Sequence, residues 1–119
     1  MGRALYSFTV NECEEEEFGN ENESYKILNF GVIDGLYLVK ICTEDHSIGI
    51  ELEYAWIQNY FPGYERIKQE LNIIAINGNL VRADILTIVN QNNQVDERKI
   101  VFDISDFFNN PIRGLTEKT

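Results

Sequence analysis

IIAINGNLVRADILTIV, residues 73–89, contains two apolar runs separated by the pair Asn77-Gly78. An Asn-Gly pair favours a type I′ turn, because both central residues of that turn need a positive φ angle. Closing the turn at this pair places Ile74 opposite Val81, so the apolar side chains of both runs share one face. The stretch therefore predicts a β-hairpin packed on a core, with strands at residues 73–76 and 80–89.

Short apolar runs and turn signals continue on both sides of this hairpin. The pair Asp34-Gly35 predicts a second hairpin. The run LYLVKIC that follows it is apolar on both faces, which is typical of a central strand. Residues 48–53 alternate between apolar and polar types and predict a half-buried strand. The complete set of predicted strands is residues 4–10, 25–32, 36–42, 48–53, 73–76, 80–89 and 98–104, and residues 90–96 are predicted to form a polar loop.

The segment 54–71 has a helical period instead. Its apolar and aromatic residues recur at spacings of three and four, as one stripe of a helix does: Ile57, Tyr60, Tyr64, Ile67 and Leu71. A proline inside a helix removes a backbone hydrogen bond but suits the first helical position. Pro62 therefore predicts a broken helix, with a first part at 54–60 and a second at 62–71. Ser105 is expected to cap a short helix at 106–109.

These elements predict one α+β domain over residues 1–119. Tight hairpins mean antiparallel pairing, so we expect a curved antiparallel sheet of about six or seven strands with the broken helix packed on one face. Residues 11–24 are expected to form an acidic loop, and residues 115–119 a frayed tail. The predicted core consists of Leu38, Ile50, Ile57, Tyr60, Ile67, Ile74, Ile85, Ile100 and Phe102.

The charge balance narrows the classes of partner. Twenty acidic against ten basic residues give a formal net charge of −10. Phosphate backbones and anionic membrane surfaces attract clusters of Lys and Arg, so neither nucleic acid nor a membrane is expected as a partner. A partner with a basic surface is favoured. The N-terminus lacks the apolar region of a secretory signal, and no apolar run approaches the roughly 20 residues of a membrane span, which together predict a cytoplasmic protein.

No catalytic or cofactor motif is visible. The two cysteines have no CxxC spacing, and no glycine-rich phosphate loop occurs. His46 is expected in an exposed turn, without a nucleophile assigned to it. Four carboxylates are expected on one surface of the sheet: Glu51, Glu53, Asp84 and Asp103. They could hold a divalent cation or act as acid and base. Cross-strand ion pairs with Lys40, Arg82 and Lys99 explain the same pattern. We therefore predict no catalytic residue, no metal and no cofactor.

The strongest charge feature is NECEEEEFGNENES, residues 11–24, which has seven glutamates and no basic residue. It is either a solvated connection between two strands or a recognition surface for a basic partner. Long loops are often functional, and an apolar anchor within a charged patch is a common design of interfaces. The predicted partner-binding residues are Glu14, Glu15, Glu16, Glu17 and Phe18, with Trp56 and Phe61 as exposed aromatic anchors.

The function predicted from these features is that of a non-enzymatic protein-binding module. Its size and charge suit an acidic inhibitor or immunity-type protein that neutralises a basic nucleic-acid enzyme or toxin, which is an analogy of strategy and not of sequence. The alternative is a small-molecule-binding α+β domain. In that case an aromatic pocket is expected between the sheet and the helical segment, lined by Tyr54, Trp56 and Tyr64.

Overall fold

The computed structural model describes residues 4–19 and 24–108. These residues form one mixed sheet of seven strands and a single long helix. The elements in chain order are β1 (Ser7–Phe8), β2 (Glu14–Gly19), β3 (Ser24–Ile33), β4 (Leu36–Cys42), α1 (His46–Tyr60), β5 (Tyr64–Ile76), β6 (Asn79–Asn90) and β7 (Asn93–Asp103). Residues 105–108 are helical as well; the predicted tail at 115–119 lies outside the described residues.

The sheet consists of two antiparallel units joined by a parallel pair. Its strand order is β1-β5-β6-β7-β4-β3-β2. The units β2-β3-β4 and β5-β6-β7 are each antiparallel, whereas β4 and β7 run parallel at the centre and the short β1 runs parallel to β5. The α+β class predicted from the sequence fits, but the expectation of a purely antiparallel sheet is wrong. Parallel strands such as β4 and β7 are joined by a long crossover connection, and no local turn signal in the sequence predicts such a connection.

Both predicted hairpin turns are present. Asp34 and Gly35 have φ angles of 54° and 81°, and Asn77 and Gly78 have φ angles of 51° and 85°. Ile74 lies opposite Val81, as the turn chemistry predicts. The predicted polar loop at 90–96 is wrong, because residues 91 and 92 alone form the turn between β6 and β7.

Helix α1 includes residues 48–53, so the strand predicted there is wrong. It also includes residues 54–60, which are helical as predicted. The Asp45 carboxylate caps it by accepting a hydrogen bond from the Ile48 amide at 3.0 Å. The helix ends at Tyr60, before Pro62. Its buried residues recur at spacings of three and four, as expected for one helical face, and are Gly49, Leu52, Glu53, Trp56 and Ile57. Because this stripe contains a glycine and a glutamate, an apolar pattern does not reveal it.

The second half of the predicted broken helix is strand β5. Pro62 and Gly63 form a turn, and the chain is extended from Tyr64 onward. The first part of β5 has a strand partner on one side, β6, because β1 pairs only with Ala75 and Ile76. Most of residues 64–72 are exposed, so no face is buried strongly enough to impose the two-residue alternation of a strand.

The two faces of the sheet carry separate apolar clusters. Alternation along each strand sends Val39 and Phe102 towards α1, and Leu38 and Val101 to the opposite face. The larger cluster packs Leu52, Trp56 and Ile57 of the helix against the sheet. Six predicted core residues are buried: Leu38, Ile57, Ile74, Ile85, Ile100 and Phe102. Three others are exposed, contrary to the prediction: Ile50, Tyr60 and Ile67.

Neither helical part of the described residues has the length and apolar character needed to cross a membrane.

Candidate functional site

The four consecutive glutamates lie on strand β2, at one edge of the sheet. The prediction of an acidic loop over 11–24 is therefore wrong for residues 14–19, and residues 20–23 lie outside the described part. Phe18 is paired with Tyr25 of β3, and Glu16 with Ile27. Glutamate is a poor strand former, so this strand depends on its contacts with β3 and with the helix.

The glutamates of β2 alternate between the two faces. Glu16 points to the helix side, where its carboxylate accepts hydrogen bonds from the Tyr60 hydroxyl and from Asn29 Nδ2, the latter at 3.0 Å. The bond to Glu16 raises the pKa of the Tyr60 hydroxyl. Glu15 and Glu17 lie on the other face, where Lys26 Nζ approaches Glu15 at 3.5 Å. Both members of that ion pair are largely exposed, so it contributes little stability and leaves the strand acidic.

Phe18 shares the helix side with Glu16. It is half-buried and packs against the larger apolar cluster. Together with α1 it borders a groove of ≈ 260 Å³, whose lining residues are Phe18, Gly19, Tyr25, Ile48, Glu51, Leu52 and Ala55. Glu51 is the one charged residue among them. The sequence-predicted acidic patch thus lies beside an apolar slot with an acidic rim.

The predicted aromatic anchors Trp56 and Phe61 are not exposed. Trp56 retains 1 % of its accessible surface and Phe61 8 %, and both belong to the core beneath the helix. The Trp56 ring packs edge-on against Phe102, with centroids 5.7 Å apart. Their expected exposure is wrong because Trp56 lies on the buried stripe of one continuous helix. Of the predicted partner-binding residues, Glu14, Glu15, Glu16, Glu17 and Phe18 stay together at the sheet edge.

A second chemical feature lies where α1 crosses strand β6. Glu53 of the helix and Asp84 of the strand are 3 % and 4 % exposed, respectively. Gln69 of β5 donates from Nε2 to both Asp84 oxygens, at 3.0 Å each. One Glu53 oxygen, Oε2, is buried and meets no hydrogen-bond donor among the described residues. The two carboxyl groups therefore lie between α1 and the sheet.

Burial changes the protonation of this pair. Loss of hydration, a hydrogen bond with Asp84 and repulsion from its charge together raise the pKa of Glu53 to about 10. Two carboxyl groups that are both acceptors can bond to each other only if one of them holds a proton. At neutral pH Glu53 is therefore the protonated member, and its O–H group donates to Asp84. Similar sharing of one proton occurs where two carboxyl groups of an active site are forced together.

The carboxyl pair opens onto a cavity of ≈ 290 Å³. Its lining combines polar and apolar side chains of α1 and β5 with Asp84 of β6 and apolar side chains of residues 104–108. The lining residues are His46, Ile50, Glu53, Tyr54, Gln69, Leu71, Asp84, Ile104, Phe107 and Phe108. The guanidinium of Arg66 lies at the rim, where it donates to the Tyr54 hydroxyl and to Gln69 Oε1, the latter at 3.0 Å. The cavity lining therefore contains both acidic and apolar side chains.

The other sequence-predicted acidic residues do not join this cluster. Asp103 lies on the opposite face, 3.7 Å from Lys40 Nζ, which also contacts Asp106 at 3.1 Å. Cross-strand ion pairing thus explains Asp103, but not Glu53 and Asp84. Glu51 is exposed on α1. Within residues 4–19 and 24–108, no three His, Cys, Asp or Glu side chains converge on a possible metal site.

The aromatic pocket expected for the small-molecule alternative is not assembled as predicted. Tyr54 lines the cavity beside Glu53, whereas Trp56 is in the core. The Tyr64 hydroxyl donates to Asp96 at 2.5 Å, next to Arg98, which itself bonds Asp96 at 2.9 Å. Two sequence signals could have revealed the buried carboxyl pair. A helix predicted over residues 48–53 would have placed Glu53 on the buried face, and Asp84 lies within the largely apolar stretch RADILTIV.

Comparison of the chain with protein-family models, with curated proteins and with solved structures gives no match. The function must therefore be inferred from the geometry and charge of these two sites.

Proposed function

We propose that the protein is a non-enzymatic binding module that docks a basic protein on strand β2 and on the groove beside it. The partner class that suits this surface is a basic nucleic-acid enzyme or toxin, which the module would neutralise in the cytoplasm. The observation that carries the proposal is the location of four consecutive glutamates on an edge strand, next to an apolar groove.

The edge location supports docking because one side of β2 has no strand neighbour among the described residues. An edge strand offers backbone donors and acceptors to an extended segment of another chain, as in β-strand addition. Glu14, Glu15 and Glu17 are exposed along this edge. Their charges attract a basic surface and align it before contact, which raises the association rate.

The groove supports docking because charge alone gives little specificity. Phe18, Ile48 and Leu52 offer an apolar slot that an aliphatic or aromatic side chain of the partner can fill. Glu51 stands at its rim, where it suits a Lys or Arg next to that side chain. An apolar anchor flanked by cations is therefore the recognition element that this surface fits.

Acidic residues on an edge strand have a competing role, because like charges keep edge strands of separate molecules from pairing. The two roles differ in what neutralisation does. If the glutamates are only protective, their removal causes self-association and leaves partner binding unchanged. If they form the docking surface, their removal slows partner association while the protein stays monomeric at assay concentrations.

The apolar half of the proposal is tested with Phe18→Ala. The partner is first captured from a lysate of the host on immobilised wild-type protein and then purified. Support for the proposal comes only from the association and dissociation rates measured on the purified pair. Because Phe18 lines the slot, Phe18→Ala should raise the dissociation rate roughly tenfold or more with little change in association rate. The matched control is Leu80→Ala, which truncates an exposed apolar residue of β6 and should leave both rates unchanged. Equal rates for the two variants, or failure of the wild type to retain any basic protein, would refute the proposal.

A further inference from the structure

Strand β5 leaves a second edge of the sheet open. Among the described residues, β1 pairs only with Ala75 and Ile76, and the Leu5 amide donates to the Ile73 carbonyl oxygen at 2.7 Å. Residues 64–72 therefore have a strand neighbour on one side only, which is β6. Such an edge presents unpaired backbone donors and acceptors and is a template for pairing with another strand.

The backbone groups that face this open edge follow from the bonds to the N-terminal segment. The carbonyl oxygen of Ile73 and the amide of Ala75 both bond that segment, so they point away from β6. Alternate residues of an antiparallel strand direct their backbone groups to the same side, and the register with β6 is regular over residues 68–76. The N–H and C=O groups of Gln69 and Leu71 therefore face the open edge as well.

Exposed apolar side chains are grouped at this edge. Ile67 and Leu71 are 55 % and 52 % exposed. Two further exposed residues of α1, Ile50 and Tyr54, line the same cavity as Leu71. Grouped apolar exposure of this kind marks an association surface, whereas single exposed apolar residues need no explanation.

The charge of this edge allows two copies of it to meet. Residues 64–72 contain two acidic and two basic residues, although the whole chain has a formal net charge of −10. The edge at β2 has four consecutive glutamates instead, and like charges keep such an edge from pairing with its own copy. Self-association is therefore favoured at β5 and opposed at β2.

The charges also select a register. Glu70 lies opposite Ile85, on the face of the sheet away from α1, and Lys68 shares that face, with its Nζ atom 2.7 Å from the Glu70 carboxylate. In antiparallel pairing about a two-fold axis at Gln69, Lys68 of each copy lies opposite Glu70 of the other. An axis one residue further along would place Glu70 opposite its own copy, which is unfavourable.

The same register brings the apolar side chains together. It places Ile67 of one copy beside Leu71 of the other, and it pairs the backbone groups of Gln69 across the axis. A β-bulge at residues 66–68 ends the ladder on one side, and the occupied carbonyl oxygen of Ile73 ends it on the other. The shared ladder is therefore short and the association weak.

We propose that the protein forms a two-fold symmetric dimer through antiparallel pairing of the open part of β5, with Lys68 and Glu70 as reciprocal ion pairs and Ile67 and Leu71 as apolar contacts. The two sheets then join edge to edge, and strand β2 of each copy stays free at the far edge. The dimer does not depend on the proposed docking function.

Sedimentation equilibrium of the wild-type protein tests the dimer. An interface of this kind is smaller than those of stable complexes, so we expect a monomer–dimer equilibrium with a dissociation constant of roughly 10–100 µM, measured from about 1 to 500 µM protein. At sub-micromolar concentrations the protein is monomeric. No dimer at the highest concentration would overturn the proposal. Oligomers larger than a dimer would also overturn it, because only a two-fold interface closes on itself.

Charge exchange at the axis tests the register. Lys68→Glu should weaken the dimer roughly tenfold or more, because two glutamates then face each other at both symmetric positions. Glu70→Lys should weaken it to a similar extent. The double variant Lys68→Glu/Glu70→Lys should return to within about threefold of wild type, because opposite charges again face each other.

The matched control is Lys26→Glu, which changes the net charge by the same amount at an exposed residue of β3. It should leave the dissociation constant of the dimer within about twofold of wild type. Equal weakening by Lys26→Glu and Lys68→Glu would show that only the net charge matters. That result, or a double variant as weak as the single ones, would refute the pairing of β5 about Gln69.

Discussion

At the scale of single residues, Glu53 is unusual because it places a carboxyl group at a buried position of a helix. The helix position that it occupies faces the core, between Leu52 and Trp56, where an aliphatic side chain would be expected. A buried carboxyl group is tolerated here because it stays protonated and bonds Asp84, whose charge Gln69 in turn satisfies. The arrangement lowers the free energy of unfolding at neutral pH, so we expect the stability of the protein to depend on pH.

The stability of the wild-type protein should fall as pH rises above the ordinary glutamate value. The pKa of Glu53 is raised from 4.5 to about 10 by burial and by Asp84. Between these values the unfolded chain releases a proton that the folded protein keeps, so the favourable contribution is complete below pH 4.5 and lost by about pH 10. One pH unit corresponds to about 1.4 kcal/mol, so roughly 3 kcal/mol is lost by pH 7.

Glu53→Gln should remove this dependence, because an amide keeps a donor for Asp84 and does not ionise. We expect the variant to equal or exceed the wild-type free energy of unfolding at pH 7, with a larger advantage at pH 9. Denaturant unfolding at pH 5, 7 and 9 measures this, with Glu51→Gln as the control. Parallel pH profiles for wild type and Glu53→Gln would show that Glu53 is not a protonated core residue.

At the scale of elements, α1 depends on a close approach to the helical residues 105–108. A Cβ atom on Gly49 would lie 2.4 Å from Cε2 of Phe107, whose ring is 1 % exposed. Glycine is normally destabilising within a helix by about 1 kcal/mol relative to alanine. Here it is required because the helix backbone packs directly on the ring.

Gly49→Ala should therefore destabilise the protein by roughly 1–2 kcal/mol, because the overlap with Phe107 outweighs the gain in helix propensity. Thermal or denaturant unfolding measures the change, and Gln58→Ala on the exposed face of α1 is the control, expected within about 0.5 kcal/mol of wild type. Replacing Phe107 by Leu in the Gly49→Ala background should recover part of the loss. A stabilising effect of Gly49→Ala would contradict the packing of α1 on residues 105–108.

The elements also show how far the sequence could predict this fold. The hairpin turns at Asp34-Gly35 and Asn77-Gly78 were predictable, because positive φ angles are a local property. The first part of α1, residues 48–53, was misassigned as a strand because its buried positions include Gly49 and Glu53. Strand β5 was misassigned because most of its first half is exposed, so that the chance spacing of Tyr64, Ile67 and Leu71 imitated a helix.

The candidate sites divide in the same way. The acidic patch was visible because its charge is contiguous in sequence, although its strand conformation was not. The Glu53–Asp84 pair was considered but attributed to surface ion pairs, because its burial follows from the helix assignment and from the packing of α1 over β6. Long-range packing of this kind is not encoded in any single segment.

At the scale of the whole molecule, the sheet order separates the two candidate sites. Strand β2 and its groove are at one edge, whereas Asp84 lies on β6 and Gln69 on β5, towards the other edge. The formal net charge of −10 favours a basic partner over the entire surface, so bulk charge must be distinguished from the charge of one strand.

The distinction is made by two triple variants with the same change in net charge. Glu14→Gln/Glu15→Gln/Glu17→Gln neutralises exposed residues of β2, and Glu16 is kept because it bonds Tyr60 and Asn29. Asp34→Asn/Glu65→Gln/Glu97→Gln neutralises exposed residues on other elements.

The most direct measurement is the association rate of the basic partner with wild type and both triple variants, followed from low to high ionic strength. Charges act over about 8–10 Å at physiological salt, so only those near the docking surface steer efficiently. The β2 variant should associate roughly three- to thirtyfold more slowly than wild type at low salt and lose most of the salt dependence, while the control variant stays within about twofold of wild type. If both triple variants slow association equally, or if neither does, strand β2 is not the docking surface.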